Sequence, residues 1–344
     1  TPDYSEASKF ADLWLAPKQG TDSALAMAMG HVILKEYLLA GKSAYFDDYC
    51  RRYSDMPMLV RLVKRGEHYV PDRFVRASDF TDALGQANNP AWKTVALDEA
   101  TGQPVLPLGS IGFRWGEQGK WNIEPRDARD GREAKLALRL LPRHDQAVSV
   151  AFPYFGGRKH DYFAGSDHPE LLARQIPARR LTLVDGETLV ATVFDLMAAN
   201  YGIDRGLGGA NVAQSFDDDV PYTPAWQERI TGVKRTQVIE VARAFAENAH
   251  KTNGKSMVIL GAAINHWYHM DMTYRAIINL LVMCGCVGQS GGGWCHYVGQ
   301  EKLRPQTGWT ALAFALDWSR PPRQMNSTSF FYAHTDQWRY ETLE

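Results

Sequence analysis

Ser256-Met257-Val258-Ile259-Leu260-Gly261, followed by Asn265-His266-Trp267-Tyr268-His269-Met270-Asp271 and an apolar run to Met283, is the stretch that decides the fold. The first part reads as a short, continuously apolar strand. Asp271 reads as the cap of a helix through Met283. Strand, ten-residue loop (Gly261 to Met270) and helix make a βα unit. In open α/β sheets ligands bind at loops that follow strand C-termini. Residues 265–271 carry two His, one Asp, one Asn and two aromatics, so polar contacts to a large heterocycle fit them better than a metal. A plain helix-capping loop fits nearly as well.

Upstream, Arg235 to Ala249 places Val238, Val241, Ala242 and Phe245 at i, i+3, i+4, i+7, the spacing of an amphipathic helix. Pro224-Ala225-Trp226 opens a short helix before it. The strongest helix signal lies near the start, from Ala24 to Leu39, rich in Ala, Met and Leu. Gly41 suits its C-terminal turn. Lys18-Gln19-Gly20-Thr21-Asp22 leads into that helix. A helix N-terminus attracts anions. An ionised Asp can also accept two parallel hydrogen bonds from a guanine edge. Simple capping by Thr21 or Asp22 explains the same residues.

Between these α/β portions the pattern changes. Residues 45–85 read as short helical pieces with charged loops, and 90–150 as β-rich, with turns at Thr101-Gly102 and Asp130-Gly131. Gly109, Gly112, Gly116 and Gly119 alternate there with Phe113, Trp115 and Trp121. Arg180 to Val193 has Asp185-Gly186 between alternating apolar residues, which predicts a hairpin. Residues 204–224 read as a loop. Its Asp217-Asp218-Asp219 run has no metal-loop spacing and reads as a solvated face. The chain thus divides into 1–45 and 221–344, parts of an α/β cofactor-binding region, and a mixed 46–220 with a β-rich insertion at about 90–200.

Downstream of the βα unit, Cys284 to Trp294 holds five Gly in nine residues, from Gly285 to Gly293. Such a run permits close backbone approach to a ligand. A tight structural turn is an equal reading. It follows a helix, so it is neither a Walker loop nor a dinucleotide fingerprint. Cys284, Cys286 and Cys295 lack a C-x-x-C pair and a nearby fourth ligand, so buried thiols suit them better than a metal.

Composition excludes several classes. The chain has 344 residues, 45% hydrophobic and 22% charged, with a net charge of −1. That apolar share supports a sizeable core. The neutral balance argues against a nucleic-acid partner. Four Cys are too few for a disulfide scaffold. No stretch of about 18 apolar residues exists to span a membrane. Thr1-Pro2-Asp3 reads like the turn after an absent strand, and the last residues are uncapped, so the chain reads as a piece of a longer one.

The same residues resemble the molybdopterin oxidoreductase family, and within it the catalytic subunits of the respiratory nitrate reductase branch. The likeness rests on Ala11 to Asp22, Phe152 to Gly157, Tyr222 to Trp226, Asn265 to His269 and Cys284 to Trp294. It continues through Tyr297 to Trp309, the run most specific to that branch, then Ala313 to Arg320 and Met325 to Ser329. The resemblance implies Rossmann-like α/β domains in a larger multi-domain subunit. It implies a molybdenum bis(molybdopterin guanine dinucleotide) cofactor that takes an oxygen atom from nitrate and releases nitrite. It further implies a [4Fe-4S] cluster, an iron–sulfur β subunit and a membrane haem subunit. These would hold the enzyme at the membrane, on its cytoplasmic face.

Carried over residue by residue, the resemblance gives Asp3 a ribose contact and gives Gly20, Thr21 and Asp22 the guanine and phosphate site. It puts Asn265 and His266 near a pterin or phosphate. Gly288, Gly292 and Trp294 become walls beside the pterins, and Gly299 and Gln300 lie near the metal. It assigns no metal ligand here, because the family's molybdenum-ligating Asp and its cluster ligands lie upstream. The piece alone is therefore expected to be inactive. Rival readings are a sister enzyme acting on chlorate, perchlorate or selenate, and a non-catalytic nucleotide-binding module.

Overall fold

The computed structural model describes residues 1–108, 124–154 and 170–296. In chain order the helices and strands are α1 (Asp22–Ile33), α2 (Ala44–Tyr53), β1 (Leu59–Arg65), β2 (His68–Phe74), β3 (Ala96–Leu97), β4 (Pro104–Val105), β5 (Pro107–Leu108), β6 (Glu124–Asp127), β7 (Gln146–Tyr154), β8 (Glu170–Leu183), β9 (Gly186–Thr192), α3 (Val193–Asn200), α4 (Pro224–Thr231), α5 (Arg235–Thr252), β10 (Met257–Leu260), α6 (Met270–Met283) and β11 (Gly293–His296). Helix and sheet are mixed, as the α/β reading requires.

α1 is the hub of the helical part. Its Ala24, Ala26, Ala28, Gly30, Val32 and Ile33 are all buried, and it packs on α4, α5 and α6. The small residues allow close approach. At Gly30 a Cβ would stand 2.5 Å from the Tyr201 ring, so no larger residue fits without moving that ring. The helix continues past Ile33 as a π-helical turn, Leu34–Leu39, and stops at Gly41, whose φ is +66°. The sequence pattern predicts this helix through Leu39 but not its wider last turn.

Side-chain caps open α2, α3 and α4 but not α5 or α6; Asp271, which the sequence reads as the cap of α6, lies inside its first turn, after His269 and Met270. Ser43 accepts from the Phe46 amide at the head of α2, and Thr223 from the Trp226 amide at the head of α4, where Pro224 follows. α5 buries Val238, Ala242, Ala246 and Ala249, while Val241 and Phe245 are half-buried. The buried stripe is thus set by the small alanines, and the larger residues flank it. In the 204–224 loop the acidic run is engaged. Asp217 pairs with Arg235, Asp219 pairs with Arg229, and Asp218 accepts from the Gln214 and Ser215 amides.

β1, β2, β7, β8 and β9 close into a barrel in that order. The β8–β9 hairpin turns at Asp185-Gly186, with Leu183 opposite Gly186, where the sequence places it. The β3–β4 pair likewise flanks Thr101-Gly102, with Ala96 opposite Val105. The β1–β2 hairpin corrects the reading of 45–85 as helical pieces and charged loops: only α2 and short 3-10 turns there are helical. Five charged side chains between Arg61 and Asp72 mask its alternation, together with Pro71. The barrel therefore draws strands from upstream of residue 90. Conversely, the described part of 90–145 holds only short strands of two to four residues. The Gly- and Trp-rich residues 109–121 lie outside the described residues.

Arg174 couples barrel and helices. It reaches from β8 and donates to the carbonyls of Ala199, Asn200, Asn211 and Pro221, at 2.6–3.2 Å. Burial drives its pKa down to about 10, so it remains charged at neutral pH.

Candidate functional site

β10 and β11 form a two-stranded parallel sheet with Leu260 opposite His296 at their C-terminal ends. Beyond β10, a 3-10 turn (Ala262–His266) carries Asn265, and exposed residues run on to Met270. This is the loop that the sequence singles out. The Tyr274 hydroxyl, on the first turns of α6, donates to the Asn265 carboxamide oxygen. That bond holds the amide by its oxygen, and no described residue bonds its NH2. Tyr274 also lies 5.4 Å from the Trp294 ring and 5.5 Å from the His296 ring. Trp294 and His296, two residues apart on β11, project from one face and stack at 5.7 Å. Asn265, Tyr274, Trp294 and His296 thus make one cluster at the C-terminal end of the strands. The sequence singled out Asn265 and Trp294. It missed Tyr274, whose helical position gives no cue, and His296, which becomes visible only when β10 and β11 pair.

A second loop abuts the first. Were Gly20 given a Cβ, that atom would stand 3.5 Å from the Trp267 indole, and Gly20 holds a φ of +75°. So the turn before α1 lies against the loop after β10. Neither Thr21 nor Asp22 caps α1. The Thr21 hydroxyl instead donates back to the Lys18 carbonyl at 2.5 Å. The capping explanation of these residues therefore fails. The helix N-terminus keeps amides that no side chain satisfies, and the Asp22 carboxylate is partly exposed beside them.

Asp3 is exposed on a segment tied back to the following chain. The Trp14 indole donates to the Thr1 carbonyl at 2.9 Å, and Tyr4 packs edge-on to Trp14. His266 is exposed, one residue beyond Asn265. Gly299 and Gln300 lie outside the described residues.

The Gly-rich turn divides into two kinds of position. At Gly292 a Cβ would meet the Gly254 carbonyl oxygen at 2.1 Å, and at Gly254 one would meet the Gly285 oxygen at 2.2 Å. These glycines exist for a backbone crossing between the turn and the end of α5. Gly288 is different, with a φ of +84° and open space around it. Close packing of backbone against backbone requires glycine at Gly292, whereas at Gly288 only the positive φ does.

Cys284 and Cys286 are buried and Cys295 is exposed. Burial raises the Cys284 thiol well above its ordinary range and pushes Cys286 up to about 11, so both stay protonated at neutral pH. Among the described residues no three His, Cys, Asp or Glu side chains gather as a metal site. No single described helix is long and apolar enough to cross a membrane.

The geometry sets an uncapped helix N-terminus against the loop that carries an aromatic and amide cluster at the C-terminal strand ends, while the glycine turn lies at the opposite, N-terminal end of β10 and β11. Comparison with known proteins gives this arrangement its context. The family model of the molybdopterin oxidoreductases matches residues 1–333. The chain is 64% identical over its whole length to respiratory nitrate reductase 2 alpha chain of Escherichia coli, and 61% to respiratory nitrate reductase 1 alpha chain of the same organism. It spans 27% and 28% of their lengths. Perchlorate reductase subunit alpha of Dechloromonas aromatica is 29% identical over 97% of the chain, which spans 29% of that protein. The chain belongs to the molybdopterin oxidoreductase family.

Proposed function

We propose that this chain is part of the catalytic subunit of a respiratory nitrate reductase. The family implies a molybdenum–molybdopterin cofactor. The observation that carries the reading is the juxtaposition of the uncapped α1 N-terminus with the loop after β10, through Gly20 and Trp267. The residues fit a large, flat, phosphate-bearing group. Amides at the head of α1 suit a phosphate. The Asp22 carboxylate suits the N1–H and 2-amino group of guanine, and Asp3 suits ribose hydroxyls. Asn265 presents its free NH2, and His266 stands beside it. Trp294 offers a ring face, and Gly288, in the turn before β11, enters from the resemblance. Gly299 and Gln300 enter this proposal from the resemblance alone.

When bound, the cofactor supplies oxygen-atom transfer from nitrate, with nitrite as product. The part of these residues is to hold and orient it. We assign the guanine dinucleotide form of the cofactor, a [4Fe-4S] cluster whose ligands are not in this chain, and partner subunits that bring electrons from the membrane. Nitrate is preferred over perchlorate because identity to the nitrate reductase chains, 61–64%, far exceeds the 29% to the perchlorate enzyme. Rates of the purified enzyme on nitrate, chlorate, perchlorate and selenate test this. A preference for nitrate supports it, and a preference for another oxyanion overturns it.

A further inference from the structure

We propose that His296 is a cofactor-binding residue, its imidazole Nε2–H donating to a carbonyl or phosphate oxygen of the pterin dinucleotide. The inference rests on the molybdopterin reading above. His296 is the last residue of β11, at the strand end opposite Leu260. Its Nδ1 is sealed from solvent and has no hydrogen-bond partner among the described residues. Nε2 is not sealed in this way, and no described residue bonds it. A proton on Nδ1 would be an N–H desolvated without an acceptor, which is costly. The proton therefore resides on Nε2, where an incoming acceptor can reach it.

The ring is also held. Trp294 stacks on it with an interplanar angle of 28°, and Tyr274 meets it edge-on at 74°. Two neighbouring aromatics limit its rotation, so the N–H points in a fixed direction. The Asn265 NH2, fixed by Tyr274, adds a second donor from the adjacent strand end. Two fixed donors beside two aromatic faces suit a planar ring with exocyclic oxygens. Cys295, the intervening residue on β11, is exposed and projects to the opposite face.

The test uses the full-length enzyme with its partner subunits. His296→Phe keeps a ring and removes the donor. His296→Gln restores an amide N–H close to the Nε2 position, and His296→Asn places it close to Nδ1. Cys295→Ala controls for disturbance of β11. The readouts are release of fluorescent oxidised pterin on mild warming, molybdenum per chain, and the Mo(V) resonance. Loss of one hydrogen bond predicts release about two- to tenfold faster in His296→Phe and His296→Asn. Gln and the Cys295 variant should behave like the parent. Equal release and an unchanged Mo(V) resonance in all four variants overturn the proposal. So does faster release in Cys295→Ala to the same extent. A parent enzyme without molybdenum overturns the molybdopterin reading itself.

Discussion

The imidazole of His296 stacks on the indole of Trp294 at 5.7 Å, and the Tyr274 hydroxyl closes the same cluster onto Asn265. One strand end and one loop, 31 positions apart in the chain from Asn265 to His296, thereby become a single surface. The Gly20–Trp267 contact adds the helix N-terminus to it.

Asp22→Ala in the full-length enzyme should weaken retention of the cofactor by about ten- to a hundredfold, the range of a charge-assisted hydrogen bond. Asp22→Asn should weaken it nearly as much, since an amide cannot accept from both guanine donors. Pterin release and molybdenum content are the readouts. Unchanged values in both variants would remove the guanine assignment.

Gly292→Ala should destabilise the enzyme by about 1–3 kcal/mol, the cost of overpacking, because its Cβ would strike the Gly254 carbonyl. Gly288→Ala meets no atom and should cost only the strain of a positive φ, about 1 kcal/mol. Thermal unfolding of the two variants, followed by far-UV circular dichroism, should rank them in that order.

Arg174→Met should lower stability by about 3 kcal/mol, because buried carbonyls that accept from the guanidinium lose their donor. Arg174→Lys should recover little. One ammonium cannot reach carbonyls arranged around a planar fork. Limited proteolysis should show the 199–223 segment cut faster in both variants.

His31 is buried in α1, and burial lowers its pKa from 6.5 to about 4, with the Nδ1 bond to the Tyr201 carbonyl partly opposing that shift. The folded state thus holds it neutral where the unfolded state would protonate it. Its contribution is full above pH 6.5 and is lost as pH falls towards 4. The total loss is about 3 kcal/mol. His31→Gln should flatten the fall in melting temperature between those pH values. A parent and variant with the same pH profile would contradict this.

Local chemistry made part of this molecule readable from sequence. Asp185-Gly186 announces its hairpin because that pair favours the turn's backbone, and the Ala- and Met-rich run announces α1. The barrel was not readable. Its closure joins β1 to β9 across more than 120 residues, and charged β1 and β2 disguise their alternation. At the site, residue type exposed Asp22, Asn265 and the Gly-rich turn. It could not distinguish Gly292, committed to a backbone crossing, from Gly288 in open space. Nor could it show His296, whose role depends on which strand lies beside it.

Elemental mass spectrometry of the full-length native enzyme decides whether it is a molybdenum enzyme. About one molybdenum per catalytic chain is expected, with iron in multiples of a cluster, in protein that converts nitrate to nitrite. Protein from cells able to make the cofactor that contains no molybdenum would contradict it.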